Sequence, residues 1–392
     1  MRLTRWLLFC CVLTAELSVA GEKTWVFFTD KGSADATAFK RAATNLLPRA
    51  RARRAKVFPL SALVDITDLP VRPEYVRALQ QQGLQVHVQS RWFNAVSVSG
   101  ETQQLAAISR MPFVREQRPV LGFKRHEAEV DRLEKSESLS APDYGPSLKQ
   151  NSLMKVPEVH TLGISGQGVL VAVFDTGFRL NHEAFASLRV LAKYDFIKKD
   201  RNPDLEAGDP SSQINHGTIV LSSLAGYSIG HLIGPAFDAD YILAKTEDVS
   251  QEKPIEEDNW IAAAEWADSL GADIISSSLG YNDWYAYSDM DGKTATITRA
   301  ADLAAKKGIV VVTAAGNEGG GAWRYIIAPA DGDSVIAVGA IQSNGVIAYF
   351  SSRGPSFDGR IKPDIVAMGA GVSCVAVPPA TGTGTAYTAA DG

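Results

Sequence analysis

Val169-Leu170-Val171-Ala172-Val173-Phe174-Asp175-Thr176-Gly177 decides the architecture of the second half of this chain. Its six leading residues are all apolar and leave no polar side for solvent, so the run predicts a strand buried on both faces. Asp-Thr-Gly then places a carboxylate at the carboxyl end of that strand, on a turn that glycine allows to be sharp. Comparable runs follow at Tyr241-Ile242-Leu243-Ala244, Ile274-Ile275, Gly308-Ile309-Val310-Val311-Val312 and Val335-Ile336-Ala337-Val338. Between them, residues 260–270 and 297–307 have helical spacing and end at Gly271 and Gly308. This alternation predicts an α/β fold with a doubly wound parallel sheet, whose sites gather at the carboxyl ends of the strands.

Residues 21–124 predict a separate, smaller α/β unit. Thr24-Trp25-Val26-Phe27-Phe28-Thr29 reads as a strand, residues 36–47 and 74–82 as helices, 85–89 and 93–98 as strands, and 101–108 as a third helix. Pro112 and Pro119 are expected to close the unit. Residues 125–148 are polar and carry Ser138, Ser140, Pro142, Gly145 and Pro146, the pattern of a linker and the expected place for processing. The remainder, residues 149–392, is the α/β unit described above.

Residues 1–20 read as an export signal. Arg2 and Arg5 precede an apolar stretch, and Ser18-Val19-Ala20 forms a small-residue cleavage site. The expected location is therefore outside the cytoplasm, secreted to the exterior or the periplasm. Removing this segment takes Cys10 and Cys11 with it, so Cys374 alone remains and no disulfide can form within the chain. Cys374 lies in an apolar run and reads as a small core residue.

Composition excludes several classes of function. The 392 residues include 45% hydrophobic ones, too many for a disordered chain. No apolar stretch long enough to span a bilayer follows the N-terminus. The formal net charge of -5 argues against nucleic acid as a partner. Charge is also segregated: residues 21–130 hold 17 Lys+Arg against 10 Asp+Glu, whereas residues 131–392 hold 20 against 33. Units of opposite sign are expected to attract one another. Alternatively, the cluster Arg49, Arg51, Arg53, Arg54 and Lys56 is a loop or a solvated helix end.

Three polar strand ends carry the candidate chemistry. Asp175 follows the first buried strand, Asn215-His216-Gly217-Thr218 opens a helical run, and Ala314-Ala315-Gly316-Asn317-Glu318-Gly319 follows a third strand. A buried carboxylate can hold one tautomer of an imidazole and stabilise its protonated form, and an Asn amide can donate to an oxyanion. Taken singly, each motif has another reading: Asp-Thr-Gly also occurs at aspartic protease sites and in many turns, a lone His on a helix is more often structural, and Gly-Asn-Glu-Gly fits an ordinary turn. A nucleotide-binding enzyme fits poorly, because no Gly-x-Gly-x-x-Gly loop follows the first strand.

In this order and wording the three motifs resemble the subtilisin-like serine peptidases, the subtilases. Ser278-Leu279-Gly280, Phe350-Ser351-Ser352-Arg353-Gly354-Pro355 and the stretch from Asp358 to Asp364 extend the resemblance over roughly residues 144–392. The resemblance implies a secreted serine endopeptidase in which Asp175 supports His216 as general base and Asn317 donates to the tetrahedral intermediate. It implies that Ser278, Leu279 and Gly280 pair with extended substrate backbone and form one wall of the pocket for the residue before the scissile bond. Ala314, Ala315 and Gly316 would form the opposite wall. The first unit resembles a subtilase propeptide, an intramolecular chaperone and inhibitor. Polypeptides are the implied substrates, and no cofactor is required for the chemistry. Structural calcium stays open, since no ligand-rich loop can be matched residue by residue.

Two departures stand out. Ile219, Leu221 and Ser222 occupy positions after His216-Gly217-Thr218 where the family commonly has a second His and small residues. The larger departure is the nucleophile: the family's Gly-Thr-Ser motif does not occur in residues 318–392. Either Gly384 of Gly382-Thr383-Gly384 stands where the Ser would be, giving an inactive pseudopeptidase that binds peptides or a partner, or Gly392 is the motif's own Gly. The second alignment fits better, because a helix starting at residue 385 would end within a turn or two and leave a sheet face bare. The expectation is a precursor truncated just before its Ser-bearing helix.

Overall fold

The computed structural model describes residues 22–120, 142–250 and 253–392. The signal-peptide reading and residues 125–141 of the linker reading lie outside these described residues. The first unit runs β1 (Glu22–Phe28), α1 (Ala36–Asn45), α2 (Pro48–Arg54), α3 (Pro73–Gln81), β2 (Gln85–Ser90), β3 (Ala95–Gly100), α4 (Thr102–Ile108) and β4 (Val114–Val120). Its antiparallel sheet has the order β2-β3-β1-β4. Strand alternation divides its apolar residues between two partners. Val26, Phe28, Val96 and Val98 pack on Val76, Leu79, Leu105 and Ile108 of the unit's own helices. Trp25, Phe27 and Ala95 face the second unit instead.

The second unit continues with α5 (Leu148–Leu153), α6 (Val156–Thr161), β5 (Leu170–Asp175), β6 (Arg189–Asp195), α7 (Asn215–Ala225), the short β7 (Tyr227–Ser228) and β8 (Leu232–Ile233), and β9 (Asp240–Lys245). Then come α8 (Ile255–Leu270), β10 (Ile274–Ser277), α9 (Thr296–Lys306), β11 (Val310–Ala314), β12 (Ile336–Ile341), β13 (Ile365–Met368), β14 (Val372–Val375) and β15 (Tyr387–Ala390). Seven strands form one parallel sheet in the order β13-β12-β11-β10-β5-β9-β6. Every residue of β5, an interior strand between β10 and β9, is buried. Leu170, Ala172 and Phe174 enter the core under α8 and α9, whereas Val171 and Val173 enter the core under α7. Residues 142–148, read from composition as the end of the linker, pack on this unit: Tyr144 is buried with Val156 and Ile233.

The two units meet over α8. Of the two sequence readings of Arg49–Lys56, the loop or solvated helix end is corrected: residues 48–54 form α2, and Arg53 and Arg54 are buried. Their charge explains the burial, because Asp268, 0% exposed near the end of α8, pairs with both guanidinium groups. Arg54 also holds Asp68 through two bonds of 2.8 and 2.9 Å, while Arg53 donates to the Ala272 carbonyl at 2.8 Å. At the other end of α8, Lys23 pairs with the buried Asp258. Glu256, Glu257 and Asp258 all lie in the first turn of α8, where the helix dipole favours negative charge. Burial pushes the Glu257 carboxyl up to about 8.

His87 on β2 sits at this contact, with Nε2 2.8 Å from Ser99 Oγ and its carbonyl accepting from Lys199 at 3.0 Å. Burial, then the positive charges of Lys23 and Lys199, lower its pKa from 6.5 to about 4.

Two predictions follow from the contact. Arg53→Met removes one of the cations paired with Asp268, which keeps Arg54 and Arg91, and leaves the Ala272 carbonyl without its guanidinium donor, so it is expected to destabilise the full chain by about 1–3 kcal/mol in urea unfolding. For His87 the folded pKa is depressed, so its contribution to stability is present above pH 6.5 and is lost as pH falls towards 4. The His87→Gln variant should therefore lose less stability than the parent between pH 7 and about 4.5. Equal losses in the two chains would remove His87 from the pH response.

Candidate active site

Asp175 is the last residue of β5 and is fully buried, so the strand that defines the sheet also sets its carboxylate. Oδ1 accepts from the Thr176 amide at 2.7 Å and lies 2.7 Å from His216 Nδ1. The imidazole is 39% exposed, on the first turn of α7, with its Nδ1 on the carboxylate. Gly217 makes this approach feasible. A Cβ there would stand 2.2 Å from the Gly177 carbonyl and 3.0 Å from Asp175 Cβ, so any side chain would push α7 off the end of β5. Thr218 ties the same turn down, its hydroxyl accepting from the Arg179 amide at 2.9 Å.

Asn317 follows β11 and is exposed. It lines a groove of about 310 Å³ together with Ser276, Ser277, Ser278, Ala314, Ala315 and Gly316, and with Val220, Ser223 and Leu224 of α7. The expected residues of the two walls thus come together with Asn317, except that Leu279 and Gly280 do not line this groove: Leu279 is buried at 4% exposure. The groove continues along the sheet over Val312, Val338, Ala340 and Ala367. In β11 and β12 alternate residues differ: Val311, in the core under α8 and α9, and Thr313 and Ala337 are buried, whereas Val312, Ala314, Val338 and Ala340 are only half-buried. Gly392 closes the groove, and a Cβ on it would lie 3.6 Å from Asn317 Nδ2. Gly384 has other neighbours: it exchanges backbone bonds with Asn181 and Glu183, and packs on His182 and Pro378.

A second polar cluster escaped the sequence reading. One oxygen each from Asp195, Asp200 and Glu206 lies within 4.8 Å of the others, a hard-oxygen set of the kind that suits calcium. Positive charge already reaches it from the protein. Lys245, 1% exposed at the end of β9, stands 2.9 Å from both Asp195 Oδ2 and Asp209 Oδ2, and Lys198 pairs with Asp209. The visible signal was the density of acids between residues 195 and 209, and it was missed because β6, which delivers Asp195, was missed. Beside Asn317, burial and then the charge of Asp283 raise the Glu318 pKa, and no cation pairs with it among the described residues. Cys374 is a buried core residue whose thiol is pushed up to about 12 by burial.

Comparison with known proteins finds a family model for each of two stretches of the chain. The Subtilase family matches residues 166–392, and the Peptidase S8 propeptide domain of Bacteroidota matches residues 23–138. Subtilisin E of Bacillus subtilis (strain 168) is 31% identical over 284 residues, which cover 71% of this chain and 64% of that protein. Subtilisin of Bacillus pumilus is 35% identical over 211 residues, 53% of this chain and 69% of the relative. An alkaline protease of Shouchella clausii is 29% identical over 252 residues, 61% of this chain and 59% of the relative. The match therefore spans less than two thirds of the length of subtilisin E. With a seven-stranded parallel sheet, a propeptide-type domain docked on its helices and a family match over more than half its length, the chain belongs to the subtilase family of serine peptidases.

Proposed function

We propose that this protein is the precursor of an exported serine endopeptidase, in which Asp175 and His216 act with a serine carried on a helix that seats in the groove beside Asn317. The observation that carries this reading is the 2.7 Å contact between buried Asp175 and half-exposed His216. A carboxylate so placed keeps the Nδ1 proton on the imidazole and leaves Nε2 to take the proton of an attacking hydroxyl. The imidazolium that results is stabilised by Asp175, and Nε2 then returns the proton to the leaving amine. Asn317 Nδ2 would donate to the oxyanion of the tetrahedral intermediate. Ser278, Leu279 and Gly280 would add a strand-like contact to extended substrate, with Ala314, Ala315 and Gly316 opposite.

The bare side of β11 and β12 supports a helix in the groove, since half-buried apolar residues of a parallel sheet call for cover on that face. Gly392, next to Asn317, supports a serine arriving near that point, and the bonds of Gly384 to Asn181 and Glu183 weigh against Gly384 as the nucleophile position. The first unit would hold the peptidase unit folded and silent until the chain is cut between about residues 125 and 148. Residues 1–20 would direct export.

The test compares the 392-residue chain with the product of its gene read through the codon for Gly392. Serine-directed inhibitors are expected to block peptide hydrolysis by the processed gene product, while the 392-residue chain hydrolyses nothing by that route. In the active form Asp175→Asn should lower kcat by about 10⁴-fold with the substrate still bound. Hydrolysis by the 392-residue chain that a serine-directed inhibitor abolishes would overturn the assignment of the nucleophile. A stop codon directly after Gly392 and no hydrolysis at all would leave a peptide-binding pseudopeptidase.

A further inference from the structure

The two walls named above are joined by a third segment. Tyr281, directly after Gly280, exchanges both backbone bonds with Ala328, at 2.8 and 3.1 Å. Ile327 donates its amide to Ala315, directly before Gly316, at 3.1 Å. Residues 327–328 thus cross from one wall to the other and form the floor between them. The Ile327 side chain rises from this floor into the space the walls enclose. A Cβ on Gly280 would lie 2.5 Å from Ile327 Cδ1 and 2.6 Å from Cγ1, and a Cβ on Gly316 would lie 2.9 Å from the same two atoms. Both glycines therefore abut one branched side chain, which is 7% exposed. Neither wall can move back around it: Ser352 donates its amide to the Gly316 carbonyl at 2.9 Å, and Gly280 lies between buried Leu279 and buried Tyr281.

Building on the endopeptidase reading, we propose that Ile327 fills the pocket for the residue before the scissile bond and restricts this enzyme to small side chains there: glycine, alanine or serine. The physical reason is packing. A filled, close-packed space admits another large side chain only by displacing atoms that have nowhere to go. Remote subsites and strand pairing would still bind the rest of the peptide, so a large residue at this position costs catalytic positioning as well as binding.

The test uses the processed product of the full gene and a series of tetrapeptide nitroanilides that differ only in the last residue: Ala, Leu, Phe and Lys. The unsubstituted enzyme is expected to favour Ala over Leu and Phe in kcat/KM by more than 10-fold, the order that small differences in side-chain size produce in a shaped pocket. In Ile327→Gly the ratio of kcat/KM for Phe over Ala should rise at least about 10-fold, and in Ile327→Ala by less. The ratio cancels any loss common to all substrates, so a purely structural role for Ile327 would not move it. Efficient cleavage after Phe, Leu or Lys by the unsubstituted enzyme overturns the inference while leaving the endopeptidase reading standing, as does a ratio unchanged in both variants. If no member of the series is hydrolysed by any form, the endopeptidase reading falls and this inference falls with it.

Discussion

The contact between Asp175 and His216 depends on how closely α7 can approach the end of β5. A strand buried on both faces cannot shift to accommodate a partner, so the helix must come to it. Gly217 permits that approach, with the Gly177 carbonyl and Asp175 Cβ occupying the space a side chain would need. The geometry of the pair is thus set by backbone packing, and the side chains inherit it. An imidazole positioned in this way spends little conformational entropy in holding its tautomer.

The sheet has two unlike faces, and the division of labour in the molecule follows from them. Under α8 and α9 the core is deep, and those helices present a second surface on which the first unit lays Trp25, Phe27 and Ala95. That docking is electrostatic as well as apolar: Asp268 is buried between Arg53 and Arg54, and neither partner could be desolvated alone at acceptable cost. The excess of basic residues in residues 21–130 and of acidic ones in residues 131–392 has its physical counterpart here. On the opposite face lie α7, His216 and the groove, so the unit that docks on α8 and α9 leaves the Asp175–His216 pair itself uncovered by its folded core.

Much of this was legible in the sequence for a specific reason. Strands buried on both faces are continuous apolar runs, and β5, β9, β10, β11 and β12 all declared themselves in that way, together with the polar residues that terminate them. The edge strands did not. β6 alternates between exposed and half-buried residues and β13 is exposed along much of its length, so neither offers a continuous run. β4 was hidden by Pro119, whose missing amide proton costs little because the strand lies at the sheet edge. The sequence left Arg53 and Arg54 open between a docking surface and a solvated helix end, because burial of these guanidinium groups depends on a carboxylate more than 200 positions away, which no local window contains.

Ile327 illustrates the same limit at the site. In sequence it is one apolar residue in Tyr325-Ile326-Ile327-Ala328, with nothing to separate it from its neighbours. Its meaning comes from three segments that converge: Gly280 after β10, Gly316 after β11, and a floor hydrogen-bonded to both. Ile326, its neighbour, is fully buried and packs with Ala315, Ala330 and Ala337 beneath the floor, which turns the next side chain upwards between the glycines. Period-two alternation along a short extended segment therefore assigns one isoleucine to the core and the other to the pocket. The polar strand ends of a parallel sheet suggest the chemistry that the proposed function assigns, and the residue that would set its selectivity enters from a connecting segment whose role emerges only when the strands on either side are in place.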